Sequence, residues 1–185
     1  MIIGISGVAR AGKDTFGGIL KEVLGGNYIT IAFADELKMK CMDDFNLSYD
    51  QVYGHLKEVE DNRYPKKSGG YWTPREILQF IGTDTYRVIN DDFWIEQLFK
   101  NIGDSNNVII TDCRFPVEIH AVKKRFGKHI RVTRNNRDFV ADTKHSSETS
   151  LDNFNDIDYV VDNNGTIEDL YKIALTIKGD IENGR

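Results

Sequence analysis

Gly7-Val8-Ala9-Arg10-Ala11-Gly12-Lys13-Asp14-Thr15 decides the reading of this chain. The stretch matches G-x-x-x-x-G-K. It directly follows Ile2–Ser6, a short apolar run with the character of a buried strand. It directly precedes a helical pattern from Thr15 to Leu24 that stops at Gly25-Gly26. Strand, glycine-rich turn and helix together are the context a P-loop requires. The glycines let consecutive backbone N–H groups curl around phosphate oxygens. The helix N-terminus adds about half a positive charge at the same point. Lys13 is expected to bridge the β and γ phosphates. A plain glycine-rich turn with a surface lysine is the competing reading, and the flanking strand and helix weigh against it. The motif departs from the general form at one place. Asp14 stands where a Mg²⁺-holding Ser or Thr is usual, with Thr15 next, and the sequence leaves open which of the two holds the ion.

Outward from this loop, strand-like and helix-like segments alternate, which predicts an α/β fold with a mostly parallel sheet. Further strands are expected at 28–33, 108–111, 130–132 and 159–161, making five. Helices are expected at 35–45, from Thr73 to about Ile89, at 92–102, after Phe115-Pro116 and after Thr166. Thr73-Pro74-Arg75-Glu76 carries a capping-box start with proline at the first helical position. Ile77, Leu78, Ile81, Val88 and Ile89 form the expected buried stripe of that helix. Ile119, Val122 and Phe126 do the same for the helix after Pro116, and Ile167, Leu170, Ile173, Ala174 and Ile177 for the last one. Phe93 and Trp94 are assigned to core. Residues 56–72 are charged and turn-rich and are expected to be a mobile loop. Asp112 ends the third strand, where a carboxylate beside the P-loop strand serves Mg²⁺.

Composition narrows the function. The chain has 185 residues, a net charge of −5, 40% hydrophobic and 29% charged residues. Its sequence pI is about 5.4. An acidic balance argues against a chain whose main job is coating nucleic acid or an anionic membrane, so any anion it binds is captured by local geometry. No apolar run is long enough to span a bilayer, and the N-terminus lacks the basic flank of a signal peptide. Cys41 and Cys113 are far apart and form no CxxC pair, which fits a cytoplasmic setting. There is no N-K-x-D for guanine and no D-x-x-G after Asp112, which argues against a GTPase, and no repeat or coiled coil points to a motor. A small-molecule kinase remains. Arg10, Arg75, Arg114, Arg134 and Arg137 lie at element ends or in loops, suited to bidentate phosphate contacts. With no activated His or Cys dyad, the acceptor class they suggest is itself a phosphate. It is mostly ionised at pH 7 and needs positioning and charge neutralisation more than a base.

The chain resembles the deoxynucleoside monophosphate kinases of bacteriophages, within the nucleoside monophosphate kinase-like P-loop fold. The resemblance spans nearly the whole chain. It rests on the P-loop, Phe33-Ala34-Asp35-Glu36-Leu37-Lys38, Thr73-Pro74-Arg75-Glu76-Ile77-Leu78-Gln79 and Gly82-Thr83-Asp84. It continues through Asp91-Asp92-Phe93-Trp94, Thr111-Asp112-Cys113-Arg114-Phe115-Pro116 with Glu118, His145-x-x-Glu148 and Asp162-Asn163-Asn164-Gly165-Thr166. An Asp after the P-loop lysine is usual in those relatives. The resemblance implies a single kinase domain over 1–185, with an acceptor-binding lobe at about 35–95 and a lid at about 134–150. It implies transfer of the γ-phosphoryl of ATP, with Mg²⁺, to a deoxynucleoside 5′-monophosphate. Gly7, Ala9, Ala11, Gly12, Lys13, Asp14 and Thr15 then hold ATP, with Asn163, Gly165 and Thr166 near the adenine. Lys13 and Arg10 hold the transferring group, and Asp14, Thr15 and Asp112 organise Mg²⁺. Arg75 and Arg114 clamp the acceptor phosphate. Phe33, Lys38 and Gln79 line the nucleoside pocket, and Asp35 contacts the sugar. Arg134 and Arg137 close on the ATP phosphates. His145 and Glu148 receive no role. A homodimer is compatible with the resemblance, as is a host cytoplasm for a phage-encoded enzyme. Two rivals stay open: a dephospho-coenzyme A kinase of the same fold with Asp35 as base, and a nucleotide-binding regulator without turnover.

Overall fold

The computed structural model describes residues 1–103, 107–135 and 145–184. The chain divides into two compact units, Met1–Ala32 with Ile102–Arg185, and Phe33–Asn101.

The first unit is built on five parallel strands: β1 (Ile2–Ser6), β2 (Ile29–Ile31), β3 (Val108–Cys113), β4 (Lys128–Thr133) and β5 (Tyr159–Asp162). Their order is β2-β3-β1-β4-β5, so the strand that feeds the phosphate loop is central. A parallel sheet needs both faces covered, and every residue of β1 is buried. Ile3 and Ile5 pack toward α1 (Lys13–Leu24) and α8 (Ile167–Glu182), against Phe16, Leu20, Leu170, Ala174 and Ile177. Each such Ile, Leu or Phe side chain, fully buried, contributes roughly 1.5–3 kcal/mol. Gly4 points the other way, to α6 (Pro116–Lys123), where a Cβ would lie 3.2 Å from Val122. Its missing side chain is what lets α6 approach the sheet.

The second unit is helical. It contains α2 (Ala34–Asp44), α3 (Tyr49–Val52), a 3₁₀ turn (His55–Glu58), α4 (Pro74–Gln79) and most of α5 (Phe93–Ile102). Cys41, Leu47, Val52, Ile77 and Leu78 form its core. Thr73 and Glu76 close the expected capping box, with Pro74 inside the helix start. Trp94 is core, and its indole N–H donates to the Gly82 carbonyl at 2.8 Å.

Several expectations are corrected. Past Gln79 the helix winds as a π-helix over Phe80–Arg87. The wider turn rotates later positions off the stripe, and Val88 and Ile89 end up 78% and 81% exposed. Phe126 is exposed because α6 closes at a left-handed residue there. Phe126 has φ +58°, and its N–H and that of Gly127 bond back to the carbonyls of Lys123 and Val122. Ile167 opens α8 half-exposed rather than joining its inner face. The strand expected at 28–33 is only Ile29–Ile31, at the sheet edge. The segment 56–72 is not an open loop. Asp61, buried there, accepts from the Arg63 and Gln51 side chains, and Pro65 pairs with Tyr71 as an antiparallel bridge.

Candidate active site

The phosphate loop leaves β1 at Gly7, where φ is +147° and a Cβ would sit 2.3 Å from the Val132 carbonyl oxygen. It re-enters regular structure at Gly12, the left-handed residue that starts α1. No side chain caps that helix, so its first backbone N–H groups face the loop with their dipoles aligned. Lys13 folds over the loop, its Nζ donating to the carbonyls of Gly7 at 2.9 Å and Val8 at 3.0 Å. Arg10 stands at the tip, exposed, with φ +61°. Asp14 and Thr15 are exposed on the first turn of α1.

The loop is braced from β5. Asn163 donates its side-chain N–H to the Ala11 carbonyl at 2.7 Å, and its backbone N–H to Thr133 at 2.8 Å. Asn164 accepts from the Asn135 backbone at 2.8 Å. Thr166 caps α8 in a capping box with Asp169, against which Gly165 packs closely. Asn163 therefore contacts the back of the phosphate loop, a role not legible in its sequence position.

The end of β3 supplies the rest. Burial pushes the Lys13 ammonium pKa down, Arg114 pushes it further down, and Glu148, Asp14 and Asp112 oppose both. Those five side chains thus share one electrostatic neighbourhood. Arg114 pairs with Glu148 through Nη1, which also reaches the Ser147 carbonyl at 3.4 Å. The Arg114 and Phe115 backbone N–H groups donate to the buried Glu118, at 2.6 and 3.1 Å. Burial alone would lower the Arg114 pKa, but Glu148 and Asp112 more than offset it, so the guanidinium stays charged. A cavity of about 380 Å³ opens here, lined by Gly7, Arg114, Arg131, Arg134 and Glu148 among others. Arg131 donates from Nη2 to the carbonyls of Leu151 at 2.8 Å and Phe154 at 3.0 Å. It anchors the segment that follows α7 (Ser146–Thr149). Arg134 is exposed on the cavity rim. Arg137, with most of the expected lid, lies outside the described residues.

The second unit carries the other candidates. Lys38 pairs with Asp35 at 3.3 Å and lies 4.6 Å from the centre of the Tyr53 ring. Arg75 pairs through Nε with Glu58. Gln79 is half-buried, and Phe33 is buried.

The sequence motifs include Glu148 and Glu118 without a role for either, and they give no sign of the bracing use of Asn163. Glu118 had a local signal, a carboxylate three residues past the Phe115 helix cap. Glu148 had none, because its partner is 34 residues away.

A nucleoside triphosphate with a divalent cation fits these residues. The uncapped helix start and the Lys13 ammonium answer phosphate oxygens. Asp14, Thr15 and Asp112 offer the hard oxygens Mg²⁺ prefers. Among the described residues no group of three or more His, Cys, Asp or Glu can hold a metal by itself.

Fold and site define a P-loop phosphotransferase, with its chemistry at the carboxyl ends of the parallel strands. The fold is similar to that of shikimate kinase from Aquifex aeolicus, with a TM-score of 0.51, 15% identity and 98% of each chain covered. The family model of deoxynucleotide monophosphate kinases matches residues 43–173. A protein of Acanthamoeba polyphaga mimivirus assigned to that activity is 34% identical over 196 residues, covering 95% of each chain. The chain belongs to the deoxynucleotide monophosphate kinase family.

Proposed function

We propose that the protein moves the γ-phosphoryl of ATP, as its Mg²⁺ complex, onto the phosphate of a deoxynucleoside 5′-monophosphate, giving the diphosphate and ADP. The observation that carries this reading is a cavity that joins Arg114, past the end of β3, to Gly7 and Val8 of a phosphate loop over which Lys13 folds and whose helix start is uncapped. An oxygen of the acceptor phosphate attacks the γ-phosphorus, and the bond to the β-bridging oxygen breaks. The acceptor is already mostly a dianion at pH 7, since its second pKa is about 6, so no side chain need take a proton. The work left to the protein is alignment and charge neutralisation.

Lys13 exchanges the Gly7 and Val8 carbonyls for β and γ oxygens, and Arg10 reaches the transferring group from the loop tip. Asp14, Thr15 and Asp112 would hold Mg²⁺, which would supply charge neutralisation to the phosphates. Arg75 and Arg114 clamp the acceptor phosphate. Phe33, Asp35, Lys38 and Gln79 form the nucleoside pocket, and Arg134 closes on the ATP phosphates. Gly165 and Thr166 flank the adenine. The reading includes a phage-encoded enzyme acting in its host's cytoplasm. It is supported by the motif resemblance and, as far as a viral origin goes, by the mimivirus relative.

The test is ADP release from Mg-ATP against a panel of deoxy- and ribonucleoside monophosphates and dephospho-coenzyme A. Deoxynucleotide-dependent ADP that disappears in Lys13→Ala, with the circular dichroism spectrum retained, is the expected result. Turnover with dephospho-coenzyme A alone would overturn the acceptor assignment.

A further inference from the structure

Both arginines assigned to the acceptor phosphate touch a glutamate, and the two contacts differ in kind. Arg114 spends Nη1 on Glu148 and on the Ser147 carbonyl. Among the described residues nothing accepts from its Nε or Nη2. That edge is one of the forks that match two oxygens of a phosphate. The Glu148 side chain is 8% exposed, and both partners line the cavity beside the phosphate loop. Arg75 is engaged the other way round. Its Nε donates to Glu58, so that carboxylate lies on the Nε edge a phosphate would take. The Glu58 side chain is 54% exposed, and a pair that open to water is weak and yields to a dianion.

A carboxylate inside a phosphate site repels the substrate unless its charge is shared. Glu148 shares its charge with Arg114, and it also lies within electrostatic reach of Lys13. Holding α7 in place is not its only use, because Arg131 independently anchors Leu151 and Phe154 just beyond that helix.

We infer that Glu148 is a positioning residue for phosphoryl transfer: by taking Nη1 it aims the Nε–Nη2 edge of Arg114 at the acceptor phosphate beside Lys13. Glu58, in contrast, only competes for Arg75. The inference rests on the phosphotransfer reading and deepens it.

The test is a cycle of Arg114→Ala, Glu148→Ala and the double variant, assayed for kcat and for both KM values. Glu148→Ala is expected to lose about 10–100-fold in kcat, the cost of a misaimed group, with the KM for Mg-ATP within about twofold. If Glu148 acts through Arg114, the double variant is no slower than Arg114→Ala alone. Glu148→Gln keeps an oxygen for Nη1 and is expected to recover most of kcat. Glu148→Asp keeps the charge but withdraws from Nη1 and is expected to stay impaired, and this pair decides the matter even if the alanine variant folds poorly. Glu58→Gln is expected to lower the acceptor KM without lowering kcat. Independent losses that multiply in the double variant, or a fully active Glu148→Asp beside an impaired Glu148→Gln, overturn the positioning role. Full activity in Arg114→Ala is a separate failure, of the phosphate-clamp reading itself.

Discussion

Gly12→Ala probes the joint between sequence motif and tertiary brace. Gly12 has φ +94°, and a Cβ built there would lie 2.2 Å from Asn163 Nδ2. That nitrogen holds the buried Ala11 carbonyl at 2.7 Å. An L-residue in a left-handed conformation costs about 1–2 kcal/mol. Pushing Asn163 aside strands the Ala11 carbonyl, at about 1–3 kcal/mol. The sum is about 3 kcal/mol, and at roughly 2–4 °C per kcal/mol for a chain of this size the Tm falls by roughly 6–12 °C. The loop that receives the phosphates is what moves, so ATP binding falls with it. Thermal melts with and without Mg-ATP read both effects. Ligand at a hundredfold excess over its Kd stabilises the parent by about 2.7 kcal/mol, and the variant should lose most of that upward shift. A second variant separates the two causes. Asn163→Ala in the otherwise native chain strands the Ala11 carbonyl without the strained φ, so it should show only that part of the loss, about 1–3 kcal/mol. A Gly12→Ala protein that melts within about 2 °C of the parent, with its ATP shift intact, would refute both the strain and the bracing role of Asn163.

Three further outcomes follow from the second unit. Arg75→Ala should raise the KM for the deoxynucleotide about 10–100-fold, the range of a lost charged hydrogen bond or two. The KM for ATP should stay within about twofold, and a loss confined to ATP would sink the clamp assignment. Trp94→Phe strands the Gly82 carbonyl and should cost about 1–3 kcal/mol in urea unfolding; an unchanged midpoint would count against that bond. The Arg63 side chain holds the Asp61 carboxyl well below the usual carboxylate range, with Gln51 assisting. A depressed native pKa gives stability that is complete above the unfolded value, about 3.9, and is lost as pH falls below it. Chemical unfolding between pH 7 and pH 3 should therefore show a shallower acid loss in Asp61→Asn, and equal slopes would remove the effect.

Much of the fold was legible because its signals are local. Ile2–Ser6 is apolar throughout and ends at glycine, which is what a central parallel strand looks like in sequence. Thr73-Pro74-Arg75-Glu76 announces its helix by capping chemistry, and the structure closes that cap. Local pattern failed where the backbone left its standard period. Nothing in the stripe ending at Val88 and Ile89 signals the π-turns that rotate it outward. Nothing around Phe126 signals that a bulky residue takes the left-handed place at a helix end.

The sequence by itself determined the phosphate loop, because glycines at fixed spacing, a lysine and a helix start are all within nine residues of one another. It also pointed to the kind of acceptor, since arginines at element ends without a catalytic dyad suit a substrate that arrives ionised, while a hydroxyl acceptor stayed open. Tertiary structure alone decided which groups hold that machinery in place. Asn163 lies 152 residues from the carbonyl it braces, and Glu148 lies 34 residues from the arginine it pairs with. Such pairs are set by strand order, which puts β1 between β3 and β4 and gathers the ends of distant segments at one edge of the sheet. A hydrogen bond of that kind leaves no spacing in the chain to read. It follows from the closure of the sheet, where burial makes an unpaired carbonyl or guanidinium costly and so fixes its partner.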